Sequence, residues 1–152
     1  MSLRDRLNED LKDAMRAKDA VRLSVIRGIK AAILQVETRG ERVVLDEPGI
    51  LQVLAKEVKE RQDAIQEFER GGRADLVDKL NQELAVLKDY LPEPLSQAEL
   101  AQLILEAIAE TGAEGPKDMG RVMGWLTPKT RGRADGKAVS EAVKMALQHR
   151  AG

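Results

Sequence analysis

Apolar residues return at intervals of three and four from Leu3 to Leu147, and no stretch alternates apolar with polar over strand length. That spacing lays side chains along one stripe of an α-helix, whereas a half-buried strand needs a period of two. The chain is therefore expected to be all-α. Its 152 residues suffice for one domain or two small ones. The only aromatics are Phe68, Tyr90 and Trp125, so the core must be aliphatic.

Ser2 and Asp5 have the spacing of a helix-start cap ahead of Leu3, Leu7 and Leu11. Lys18-Asp19 predicts a break, and a second helix lines up Val25 or Ile26, Ile29, Ile33 and Val36 and ends near Gly40. Residues 41–46 read as a connection in which Val43, Val44 and Leu45 pack as a short extended segment. Asp46 with Glu47-Pro48 suits the start of a third helix. Its expected stripe is Leu51, Leu54, Val58, Arg61, Ile65 and Phe68, and Gly71-Gly72 ends it. A fourth helix carries Val77, Leu80, Leu84, Leu87 and Leu91. Residues 1–92 are thus expected to form a four-helix, bundle-like domain.

Pro92 and Pro94 make a stiff linker and the best domain boundary. Beyond them, residues 96–152 are expected to form a three-helix domain. Ser96 and Glu99 make a capping box, flanked by Leu95 and Leu100 at staple positions, and Leu103, Ile104, Ala107 and Ile108 continue the apolar face. The next helix is expected to bury Met119, Val122, Met123 and Leu126, with Gly120 and Gly124 leaving a groove for a close backbone or ligand. A basic loop, Pro128-Lys129-Thr130-Arg131-Gly132-Arg133, should follow, and a last helix starts near Asp135 with Val139, Val143, Ala146 and Leu147 inward.

Catalytic chemistry finds little to work with. There is no cysteine, which removes disulfides, thiolate nucleophiles and zinc-thiolate sites. His149, the only histidine, lies three residues before the end and reads as a surface residue. None of Ser2, Ser24, Ser96 and Ser140 sits in a nucleophile elbow, and no phosphate-loop or dinucleotide fingerprint is present. Glu57, Glu60 and Asp63 read as a solvated helix face. No catalytic residue, metal site or cofactor is expected. Arg61 either reaches a carboxylate on a neighbouring helix or faces a partner. No apolar run is long enough to span a bilayer, and the first residues lack a signal peptide's apolar stretch, so the expectation is a cytoplasmic protein with no membrane partner.

Charge is distributed unevenly. The net formal charge is −1, yet residues 117–152 carry eight Lys/Arg against three Asp/Glu. Within residues 117–137, Lys129, Arg131 and Arg133 alternate along the loop, and Gly132 and Gly136 keep its backbone accessible. Helix starts near Lys117 and Gly136 flank it, each a source of free N–H groups. Such an arrangement can hold phosphate oxygens without reading bases. The same residues are also compatible with a solvated connection.

The segments DMGRVM (118–123), Pro128-Lys129 and GRADGK (132–137) resemble the YqeY proteins, as do LKDAMRAKD (11–19), RLSVIRGIKAAI (22–33), KEVKERQDAIQEF (56–68) and YLPEPLSQAEL (90–100). The match runs essentially end to end. YqeY proteins are similar to the C-terminal region of GatB, one component of the glutamine-dependent amidotransferase that acts on Glu-tRNA(Gln) or Asp-tRNA(Asn). The resemblance implies a helical domain with a three-helix tail. It also implies RNA contact through Lys117, Arg121, Lys129, Arg131, Arg133 and Lys137. A carbon–nitrogen ligase activity with glutamine as amide donor describes the enzyme that shares the module, since its catalytic part is missing from this chain. Trp125 and Thr127 depart from the family pattern, and Trp125 is either a core filler or a stacking platform. The expected function is a non-catalytic tRNA- or RNA-binding module. With so few aromatics, it should rely on backbone and shape contacts. The alternative is an adaptor docking to a protein partner in a tRNA-amidating or tRNA-modifying complex.

Overall fold

The computed structural model describes residues 1–151. Among them are seven α-helices, one 3-10 turn and no strand. The chain separates into two compact units, Met1–Pro92 and Glu93–Gly152, each with its own apolar cluster.

The first unit holds α1 (Leu3–Ala17), α2 (Ala20–Thr38), α3 (Glu47–Arg70) and α4 (Ala74–Lys88). The Ser2 hydroxyl accepts from the Asp5 amide at 3.1 Å and the Asp5 carboxylate accepts from the Ser2 amide, the reciprocal cap its spacing predicts. Lys18 ends α1 in the left-handed region at φ 54, and the Asp19 carboxylate caps α2 through the Arg22 amide. Asp46 caps α3 through the Gly49 amide. Gly72, at φ 71, turns the chain toward α4.

The core of this unit joins Leu3 and Leu7, Val25, Ile26, Ile29 and Ile33, then Ile50, Val53 and Leu54, then Leu84, Leu87 and Tyr90. Two expectations are corrected here. The buried part of α3 is Ile50, Val53 and Leu54, and beyond Leu54 no residue of α3 is buried. The later stripe residues Val58 and Ile65 are half-buried and still pack against this core, and Phe68 is half-buried toward the helix end. Val43 and Val44 do not pack, being 48% and 80% exposed. Their segment is instead tethered by Glu37, a buried carboxylate that accepts from the Leu45 amide at 2.8 Å and from Arg4 at 2.7 Å. The Leu45 amide, then Arg4, hold the Glu37 carboxyl below its usual range.

The second unit holds α5 (Gln97–Thr111), the 3-10 turn Pro116–Asp118, α6 (Met119–Thr130) and α7 (Gly136–Ala151). Ser96 and Glu99 form the expected capping box, and Gly112 closes α5 at φ 68. Ile104, Ala107, Ile108, Val122, Leu126, Val139, Val143 and Leu147 form the core. Pro128, Lys129 and Thr130 belong to the last turn of α6 and not to a loop. Proline there removes a single bond toward Gly124, while continuing the helix sets Thr130 one turn beyond Leu126, and both are buried. The connection between α6 and α7 is therefore short, residues 131–135.

Candidate functional site

The basic residues singled out in the sequence divide into those held by structural partners and those left open. Arg121 is held: its guanidinium donates to the Asp118 carboxylate at 2.8 Å and to the Thr111 carbonyl at 2.9 Å. Asp118 also accepts from the Glu114 amide at 2.8 Å. One carboxylate thus joins the turn after α5 to the first turn of α6. The Glu114 amide, then Arg121, bring the Asp118 carboxyl down to about 2. Arg133 is held as well, donating to the Glu93 carbonyl at 3.0 Å and lying 3.7 Å from the Glu99 carboxylate. Its own carbonyl accepts from the Leu95 amide at 2.8 Å, so Arg133 fastens the segment before α5 to the 131–135 connection.

Lys129 is exposed, with its ammonium 4.0 Å from the centroid of the Trp125 ring. Among the described residues, Lys117, Arg131 and Lys137 enter no ion pair. Gly132 adopts φ 77, a left-handed turn that carries the chain from α6 toward α7. Gly136 opens α7 and is exposed.

The expected convergence of two helix starts on the loop does not occur. α6 is 12 residues long, so Lys117 lies about 18 Å along the axis from its end. Arg150, near the end of α7, donates to the Ala113 carbonyl at 3.0 Å, which places the two helices antiparallel. The structure therefore brings Lys129, Arg131, Gly132, Gly136 and Lys137 to one end of the α6–α7 pair and leaves Lys117 at the other. Gly120 and Gly124 form no close approach: a Cβ at either would meet nothing within 4 Å.

In the first unit, Arg61 takes the structural of its two expected roles. It donates to Glu57 at 2.7 Å and to Glu83 on α4 at 3.1 Å. Burial works against its charge, but the two carboxylates prevail and raise its pKa. Tyr90, to which sequence reasoning assigned no role, is buried and donates to Asp10 beneath the guanidinium of Arg6. Burial, then Asp10, push its hydroxyl pKa upward. A cleft of about 380 Å³ opens between α1 and α2, lined by Leu7, Ile33 and Leu34. Its charged groups are satisfied internally, Arg4 on Glu37 and Lys30 on Asn8, each at 2.7 Å. No group of three or more potential metal ligands occurs among the described residues.

Fold and site together define an all-α protein with a locally basic turn and no assembled reactive constellation among the described residues. The chain belongs to the YqeY-like protein family, whose model matches residues 4–147. It is similar to Altered inheritance of mitochondria protein 41, mitochondrial, of Pyrenophora tritici-repentis, at 33% identity over 142 residues, covering 91% of this chain and 77% of that protein. The protein of the same name from Lachancea thermotolerans is 30% identical over 143 residues, covering 90% and 76% of the two chains. That of Saccharomyces cerevisiae is 28% identical over 145 residues, covering 90% and 78%. These names correct the expectation of a cytoplasmic location, because the relatives are named as mitochondrial proteins. That expectation rested on composition and on the search for apolar runs, and organelle-targeting segments need not be apolar runs.

Proposed function

We propose that this chain is a non-catalytic RNA-binding module, with tRNA the favoured class, that holds phosphates at the turn joining α6 and α7. The observation that carries the reading is that Lys129, Arg131 and Lys137 flank left-handed Gly132 at one end of the α6–α7 pair, none of them paired with a carboxylate. Backbone at a glycine turn and unpaired cations suit phosphate oxygens, which position an RNA without reading its sequence. The family's likeness to the tail of an amidotransferase component that handles charged tRNA supports the same choice. Arg121 and Arg133 are support for the site, since their guanidiniums are already engaged. The competing adaptor reading looked to Arg61 or to the face of α3 and α4 as the partner-facing group, and Glu57 and Glu83 occupy Arg61.

Binding of unmodified tRNA measured over a salt series tests this. Affinity should fall steeply with salt, with a slope of roughly 0.7–0.9 per phosphate neutralised. Arg131→Glu with Lys137→Glu should weaken binding by at least about tenfold and flatten that slope, while helical circular dichroism stays unchanged. Equal, weak binding by the wild-type and variant chains would overturn the proposal.

A further inference from the structure

We infer that Trp125 is a stacking platform for one unpaired nucleobase, and that Lys129 is the lid which that base displaces. This rests on the RNA-binding reading above and names what the site takes: a nucleotide whose base is free of a pair.

Trp125 is the only tryptophan of the chain, and Phe68 and Tyr90 both lie in the first unit. Apart from the imidazole of His149, the second unit therefore has one aromatic ring. Val122, Leu126 and Thr130 hold the centre of the buried stripe of α6. Trp125 lies at the edge of that stripe, half-buried against the core and next to the exposed Pro128 and Arg121. Lys129, one turn further on, sets its ammonium 4.0 Å from the ring centroid and is itself exposed.

The cover is of a kind that gives way. An exposed ammonium over an aromatic face is a weak contact, held by a flexible stem. A nucleobase on an indole is the stronger partner, and stacking of this kind tolerates any base. Displacing Lys129 does not lose its charge to the complex, because its flexible stem leaves the freed ammonium available to a phosphate of the same RNA. Bases inside a continuous duplex have both faces covered, so the platform selects loops, bulges and single-stranded ends. The expectation of backbone-only recognition is amended at this one residue.

The sole tryptophan also makes the test direct. The full chain is titrated with a short unstructured oligoadenylate and, separately, with a closed RNA hairpin of few unpaired bases, following indole fluorescence, with affinity measured independently by labelled RNA. Oligoadenylate should quench the emission in step with binding, and the hairpin should bind with much less quenching. Trp125→Leu should lower oligoadenylate affinity by about tenfold, Trp125→Phe by much less, and Lys129→Met should keep the quenching while reducing the salt slope by roughly one charge. If the leucine variant fails to fold, the unaltered chain still decides the matter: quenching by oligoadenylate that the hairpin matches, or no quenching by either at saturating RNA, overturns the platform. Salt-dependent RNA binding with unchanged emission and an unaffected leucine variant would overturn the platform and leave the RNA-binding reading standing. No binding of any RNA would remove both.

Discussion

At the scale of single residues, Asp118 shows how a side chain near a candidate site can serve the fold. Its two oxygens take the Glu114 amide and the Arg121 guanidinium, both at 2.8 Å. Those bonds bring its pKa from the ordinary 3.8 to about 2. A carboxyl depressed in the folded state contributes stability that is fully present above its unfolded pKa and is lost as pH falls through the folded one. Asp118 should therefore give up its contribution between about pH 4 and pH 2. Carboxyl-carbon NMR should place its midpoint near the lower limit, and Asp118→Asn should flatten the acid limb of stability over that window. A midpoint at the ordinary aspartate value would contradict the two-bond arrangement. Asp118 lies at i,i+3 from Arg121 and is a local partner, whereas the acceptor on Thr111 becomes evident once α5 and α6 are placed together.

At the scale of elements, α6 carries Trp125 and Lys129, and it contains two glycines, Gly120 in its first turn and Gly124 in its middle, with open space around them. Glycine inside a helix costs backbone entropy that alanine does not. Gly120→Ala and Gly124→Ala should each stabilise the chain by about 0.5–1 kcal/mol, read as a higher urea midpoint, with RNA affinity unchanged. Destabilisation, or loss of binding, would show that something does approach this face. The helix starts at Ser2, Asp46 and Ser96 are legible in the sequence because a cap depends on residues within three positions of itself. The end of α6 is not legible in that way. Pro128 argues locally for a loop, and only the burial of Thr130 against the rest of its unit explains why the helix continues past it.

At the scale of the whole molecule, the two apolar clusters share no residue, and the division between them falls at Pro92 and Glu93. A segment with its own core has what it needs to fold alone. Residues 93–152 expressed separately should show a cooperative thermal transition by circular dichroism, and a gradual, non-cooperative loss of signal would count against their being a domain. If the domain and the RNA-binding reading both hold, that fragment should retain the salt-dependent affinity of the full chain. The relatives from Pyrenophora and Lachancea match across nine-tenths of this chain, so the likeness covers both units.

The sequence by itself determined the helical class, the capped starts, the glycine ends and the absence of thiol chemistry, and it pointed correctly to the YqeY-like family. Each of these depends on residue type or on spacing within a turn or two. Local i,i+3 and i,i+4 spacing accounts for Arg121 on Asp118 and Arg61 on Glu57, but the more distant partners were decided by tertiary structure. Arg61 meets Glu83 across 22 positions and Arg133 meets the Glu93 carbonyl across 40. Contacts over such separations follow from how helices pack, and no local spacing encodes them. A run of six similar charges in residues 117–137 therefore becomes, once folded, two arginines bound into the scaffold, one lysine at the far end, and a small open group around Gly132 and Trp125.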